Sequence, residues 1–206
     1  DDNGQNLLRQ AISYAINRSE LISSAYQNMA TVAYTPIPSG TWLSNESTIR
    51  DIYDPLMAAS LLDSAGYKLS DDGNRNKDGK KMESLRLLVY DEPGSTARTN
   101  AANKIVDQLA AGIPAYVATW SRESVQTKLV SGDYSIAMCG FNFDVSPDPG
   151  FTLTSTASCN YTRYRSNDMN DLITQLRKSY TADSYKNAMS LIQDQFEQDQ
   201  PYICLY

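Results

Sequence analysis

The chain has no histidine among its 206 residues. That excludes Ser-His-Asp and Cys-His catalysis, histidine-held zinc and the usual pH switch near neutrality. Cysteine is scarce: Cys139, Cys159 and Cys204 are the three present, with no CxxC spacing. They are too few for a disulfide scaffold, and spacing leaves open one disulfide with one thiol, or three buried thiols. Positive charge is also in short supply, with 18 Lys and Arg against 24 Asp and Glu, a net charge of −6. Strong nonspecific nucleic-acid binding and capture by an anionic membrane need a basic face, so neither is expected. No apolar run approaches the roughly 18 residues that cross a bilayer. The opening DDNGQNLLRQ lacks a basic segment followed by an apolar one, so no signal peptide is read there. A Gly-rich phosphate loop and Gly-x-Ser-x-Gly are missing as well.

What is present is a globular profile, with 41% hydrophobic and 20% charged residues. Leu7 to Asn17 places Leu7, Leu8, Ala11, Ile12, Ala15 and Ile16 on one helical face. Ser19 suits the cap of a second helix from Glu20 to about Asn28, and Thr31 to Trp42, with two prolines, reads as a loop. Asp54-Pro55 opens a helix whose apolar side is Leu56, Ala59, Leu62 and Ala65, with Gly66 as its left-handed end. Strands are predicted at Leu85–Tyr90, Ala115–Trp120 and Tyr134–Gly140, separated by helices near 97–111 and 122–130. Two more helices near 168–179 and 183–198 and a strand after Pro201 complete the expectation.

Strand, helix, strand, helix, strand implies parallel strands with right-handed crossovers, hence an α/β sheet. Ligands of open α/β sheets sit beyond the carboxyl ends of the strands. That rule marks two loops, Asp91–Thr96 and Phe141–Ser158. In the second, Phe141 and Phe143, flanking the Asp144 loop, are candidates to touch a ligand, and Asp144 and Asp148 offer carboxylates. The pair admits three readings: general acid and base, as in glycosidases; turn chemistry at Asp148-Pro149; or an anchor for a ligand ammonium. Asp71–Lys81 loosely follows a calcium loop from Asn74, but Leu85 stands where a bidentate Glu belongs, so a solvated turn is expected. Tyr14, Tyr34, Tyr67, Tyr116 and Tyr134 are expected to pack in the core.

Six segments then resemble one family in its own order. These are RQAISYAINRSELI (9–22), YDPLMAASLLDSAGY (53–67), DDGNRNKDGK (71–80), LVSGDYSIAMCGF (129–141), NYTRYRSNDMNDLI (160–173) and QDQFEQDQPYICLY (193–206). Together they resemble the family 5 extracellular solute-binding proteins, the dipeptide and oligopeptide receptors of ABC importers. The resemblance implies an α/β fold: a periplasmic-binding-protein-like type II lobe, a mixed sheet flanked by helices. It implies that residues 1–206 form a single lobe, the second of a larger two-lobe receptor whose other lobe is absent from this sequence.

By the same resemblance the chain is not an enzyme and needs no cofactor. It captures a solute, an oligopeptide first of all, between two lobes that close by hinge motion. Its partners would be that solute, ABC permease subunits and the missing lobe. Its place would be the periplasm or the outer face of the cell membrane, with a lipid anchor as one option. Gly140 and Phe141 match the family's Gly-Trp pair, and Asp144 matches the Asp that holds the ligand's α-ammonium. The backbone of Gly140–Phe143, including Asn142, would pair with the peptide main chain, and Asp148 is a second candidate anchor. Three departures stand out. Phe141 replaces Trp. Asp91-Glu92-Pro93-Gly94 holds no Arg, which comes only at Arg98, so a dipeptide carboxylate clamp is not expected. Cys159 matches a disulfide cysteine of some members, whose partner position is Arg165 here. The alternatives are a sensor, sugar or nickel-chelate lobe of the same fold, a glycosidase using Asp144 and Asp148, and a structural interaction domain.

Overall fold

The structure is a computed structural model that describes residues 2–45, 47, 53–143 and 147–206. The chain forms two compact units. The first comprises Asp1–Ala30 with Ile52–Cys139, the second Thr31–Asp51 with Gly140–Tyr206.

In the first unit, α1 (Asp2–Ala15) starts five residues before the apolar pattern and buries Ala11 and Ile12 as expected. The next helix, α2 (Arg18–Tyr26), is capped by Asn17, whose side chain accepts from the Glu20 N–H at 3.0 Å. Ser19 is therefore inside the helix and not its cap. The earlier start turns Arg18 inward, where its guanidinium donates to Ser13 Oγ at 2.9 Å and lies buried. Helix α3 (Pro55–Ser64) follows its local signals: Asp54 accepts from the Leu56 and Met57 N–H groups, each at 3.0 Å, and Gly66 has φ +91°. Its buried face differs from the expected one. Leu56 is 83% exposed, while Ala58, Leu62 and Ala65 are buried, an i, i+4, i+7 stripe on a helix that packs against α1.

The Asp71–Lys81 stretch is more ordered than a solvated turn. Strands β1 (Lys68–Leu69), β2 (Arg75–Lys77) and β3 (Lys80–Lys81) make an antiparallel sheet in the order β1-β2-β3. Asp78-Gly79, both at positive φ, form the two-residue connection between paired Lys77 and Lys80. Asp-Gly is the sequence such a hairpin prefers, because both central positions need left-handed backbone. Buried Arg75 fixes the sheet to α3 through Asp63 Oδ1 at 2.5 Å and the Tyr67 carbonyl at 2.6 Å.

A parallel sheet forms the centre of this unit. Strands β4 (Leu85–Tyr90) and β5 (Ala115–Trp120) have the predicted bounds, and their register runs from Leu85↔Ala115 to Tyr90↔Trp120. Strand β6 (Ile136–Ala137) is shorter than the predicted Tyr134–Gly140. It pairs with β4 on the other side, giving the order β5-β4-β6, and one more bond joins the Met138 N–H to the Leu88 carbonyl. Leu87, Leu88 and Val89 are buried, and β4 packs against helix α4 (Ala97–Leu109), whose buried residues are Ala101, Ala102, Ile105 and Leu109. Helix α5 (Arg122–Ser131), at the predicted place, is capped by Ser121 and ends at Gly132 with φ +79°. Tyr116 is 49% exposed on β5, so it is not a core residue; Tyr14, Tyr34, Tyr67 and Tyr134 are half-buried. The strand alternates its side chains, and the edge position leaves Tyr116 facing outward.

The second unit is built on α7 (Asn167–Arg177) and α8 (Ala182–Asp199), with the short helix α6 (Gly150–Leu153) against α7. Ile37, Leu43, Leu153, Met169, Ile173, Leu176, Met189, Ile192 and Phe196 form its core. Buried Gln193 ties the loop segment to α8. Its amide donates to the Leu43 carbonyl at 2.9 Å, and its Oε1 accepts from Thr35 Oγ1 and the Asn45 N–H, both at 3.1 Å. The strand expected after Pro201 does not form; one backbone bond, from the Ala33 N–H to the Leu205 carbonyl at 3.2 Å, stands in its place. No disulfide joins the three half-buried cysteines. The fold class is thus α/β as predicted. Parallel and antiparallel pairing occupy separate sheets among the described residues.

Candidate functional site

The chain leaves β6 and enters the second unit at Gly140. Gly140 and Asn142 are exposed, and Phe141 and Phe143 are half-buried. This alternation is that of a strand, whose successive side chains point to opposite sides. Yet Gly140–Phe143 belongs to no helix or strand, and no described residue gives its backbone a hydrogen bond. The two rings turn to the same neighbour: Phe141 and Phe143 meet Phe151 edge-on at 5.5 and 5.3 Å. Tyr161 stacks on Phe141 at 6.4 Å with 21° between the planes.

Asp144 lies outside the described residues. Asp148 is described, and it is occupied. Its Oδ2 accepts from Arg177 Nε at 2.7 Å, and its Oδ1 accepts from the Gly150 N–H at 2.8 Å, at the start of α6. Of the readings open for this carboxylate, the turn role is present, joined by an ion pair that sequence spacing does not show. The same loop is held from α8, where the Tyr185 hydroxyl donates to the Pro147 carbonyl at 2.8 Å. Burial, and then the Asp148 charge, push the Tyr185 hydroxyl above its ordinary pKa. Trp42, from the loop of the same unit, stacks on Tyr185 at 6.2 Å.

The other marked loop, Asp91–Thr96, belongs to the first unit. It turns at Gly94, φ +81°, with Glu92 bridged to Ser95. Arg98, the nearest arginine, has its Nε 3.6 Å from Glu92 Oε2, and its guanidinium lies 4.2 Å from the centre of the Tyr90 ring. It is committed to local partners, not held out as a lone cation.

Phe151, Tyr161 and Arg177 are the residues that sequence reasoning does not single out. Their separations from the residues they touch, 8 to 29 positions across irregular chain, carry no period. Among the described residues no group of three or more Asp, Glu and Cys side chains is placed to hold a metal, and no helix is long and apolar enough to cross a membrane.

Residues 3–163 match the model of the bacterial extracellular solute-binding proteins, family 5 Middle. The chain is 25% identical over 199 residues to the dipeptide-binding protein of Escherichia coli K12, covering 91% of this chain and 35% of that protein. It is 24% identical over 210 residues to the oligopeptide-binding protein AppA of Bacillus subtilis, covering 97% of this chain and 38% of that protein. The solved structure of that AppA, in complex with a nonapeptide, superposes with a TM-score of 0.86 at 23% identity, over 98% of this chain and 41% of the other. NikZ of Campylobacter jejuni, in complex with Ni(L-His), superposes with a TM-score of 0.83 at 21% identity, over 97% of this chain and 41% of the other. These superpositions show a shared fold. The chain spans little more than a third of the length of the curated relatives it matches.

Proposed function

The chain belongs to the bacterial extracellular solute-binding proteins of family 5, and from that premise we propose that it captures a short peptide for an ABC-type importer. On this reading residues 1–206 are one lobe of a two-lobe receptor that works outside the cytoplasmic membrane. The peptide lies between the lobes, and hinge closure produces the form the permease recognises.

The observation that carries the reading is the segment Gly140–Phe143. It alternates like a strand, turns its rings inward and leaves its backbone groups without partners among the described residues. A peptide main chain can supply those partners by strand addition, which reads backbone and tolerates many side chains. The anchor for the α-ammonium is Asp144, supported by the family match and by Asp148 already being engaged with Arg177 and Gly150. A carboxylate meeting an ammonium away from water makes charge-assisted hydrogen bonds. The same engagement argues against Asp148 as the acid or base of a glycosidase, because both its oxygens are in use.

The test is calorimetry on the full-length protein with pentaalanine as probe. Asp144→Ala is expected to weaken binding at least about tenfold, the loss of one charged partner, with the far-UV spectrum unchanged. Unaltered affinity in that variant removes Asp144 as the anchor. Absence of pentaalanine binding by the unmutated protein, alongside binding of an oligosaccharide or a nickel chelate, removes the peptide reading.

A further inference from the structure

We infer that Phe151 is a positioning residue for the segment Gly140–Phe143, holding the backbone at Asn142 in the direction a ligand main chain meets; the inference rests on the peptide reading above. Phe141 and Phe143 lie two positions apart, so their side chains leave an extended backbone on the same side. Both rings meet the one ring of Phe151 edge-on, at 5.5 and 5.3 Å, the arrangement aromatic quadrupoles favour. A single body touching both flanking side chains determines the orientation of the residue between them. Asn142 is the exposed member of the set. Tyr161 closes the outer side of Phe141.

Phe151 lies between residues that are packed against the rest of the unit. It follows Gly150, where an added Cβ would lie 2.6 Å from Arg177 Nη2, 2.7 Å from Asp148 Oδ1 and 2.8 Å from Ile173 Cγ2. The start of α6 therefore lies close against the side chains of Asp148, Ile173 and Arg177. Further along α6, Thr152 Oγ1 is 3.0 Å from the Tyr202 hydroxyl, and Leu153 is fully buried in the core of the unit. Through Phe151, α7 and the Asp148–Arg177 pair reach the segment without touching a ligand themselves.

Backbone amide NMR on the full chain, with calorimetry on the full-length protein, tests the inference. Order parameters near about 0.85 mark rigid backbone and values below about 0.6 flexible backbone. Phe151→Leu is expected to carry Asn142 and Phe143 from the first range to the second, and to raise the Kd for pentaalanine at least about fivefold. Phe151→Tyr, which keeps the ring, is expected to restore both. Order at Asn142 that is the same in Phe151→Leu as in the unmutated chain overturns the inference, and so does reduced order with unchanged affinity while Asp144→Ala still weakens binding. If Phe151→Leu does not fold, Tyr161→Leu gives the reading at Phe141, with loss of order expected and its persistence contrary. Reduced order in Phe151→Leu, in a protein whose unmutated form does not bind pentaalanine, upholds the positioning role and rejects the peptide reading instead.

Discussion

Arg177, the last residue of α7, donates through Nε to Oδ2 of Asp148 at 2.7 Å, across 29 positions of sequence. The two side chains are 54% and 34% exposed, so as an ion pair they contribute little, about 0–1 kcal/mol. Their larger effect is geometric. The carboxylate that faces Arg177 also accepts from the Gly150 N–H, and that bond sets where α6 begins.

Gly150 is the point at which this arrangement is least tolerant. Gly150→Ala adds a methyl group within 2.8 Å of Ile173 and still nearer to Arg177 and Asp148. Overpacking of this kind costs about 1–3 kcal/mol, or a Tm lower by roughly 2–12 °C for a chain of this size. Differential scanning calorimetry of the variant measures it. A Tm within a degree of the unmutated protein would show that α6 yields where the packing says it cannot.

Asp133 is expected to make the first unit sensitive to acid. Hydrogen bonds from Lys128 first, and Arg86 second, hold its carboxyl below the usual carboxylate pKa. A group depressed in the folded state contributes stability that is present above its unfolded value and lost as pH falls through the folded one. Unfolded Asp titrates at about 3.9, so the loss begins below about pH 4. The melting-temperature gap between the unmutated chain and Asp133→Asn is therefore expected to hold from pH 7 to 5 and to narrow below pH 4. A gap that stays constant to pH 2.5 would assign the network no part in acid stability.

The second unit carries the opposite dependence. Burial first, and then the hydrogen bond to Asp199, raise the Tyr164 hydroxyl above its ordinary range; burial does the same to Tyr202. The neutral phenol is the favoured form, so the contribution is complete below the unfolded value of about 10 and is lost as pH rises beyond it. Tyr164→Phe keeps the ring and removes the titration. Between pH 8 and 11 its Tm should fall less than that of the unmutated chain. Parallel decline of the two melting curves would contradict this.

On the peptide reading the cleft has a second wall outside these 206 residues. The 206 residues alone are expected to bind pentaalanine at least about a hundredfold more weakly than the full-length protein, a difference of about 2.7 kcal/mol. Isothermal calorimetry on both forms decides it. Micromolar affinity of the short form would mean that the site is complete within these residues.

The features legible in sequence were those whose partners lie within a few residues. Asp54 caps α3, Ser121 caps α5, Gly66 takes the left-handed end assigned to it, and Gly132 ends α5 in the same conformation. Each depends on a bond or a φ value inside one turn. Leu85–Tyr90 and Ala115–Trp120 were equally plain, because a short apolar run between turn signals has few alternatives. Asp78-Gly79 carries a hairpin signal too, within a stretch expected as a solvated turn.

Where two local answers were nearly equal, the tertiary structure chose. Asn17 and Ser19 could each cap α2, and the buried contact of Arg18 with Ser13 accompanies Asn17. The face α3 turns to α1 excludes Leu56 despite its apolarity, since a helix buries the stripe its neighbour covers. The alternation of strands and helices indicated the α/β class, motif order the family, and composition the absence of histidine chemistry in these residues. The partner of Asp148, and the ring against which Phe141 and Phe143 rest, were decided only by folding. Contacts between distant positions arise from packing the whole unit at close to crystal density, and no local spacing encodes them.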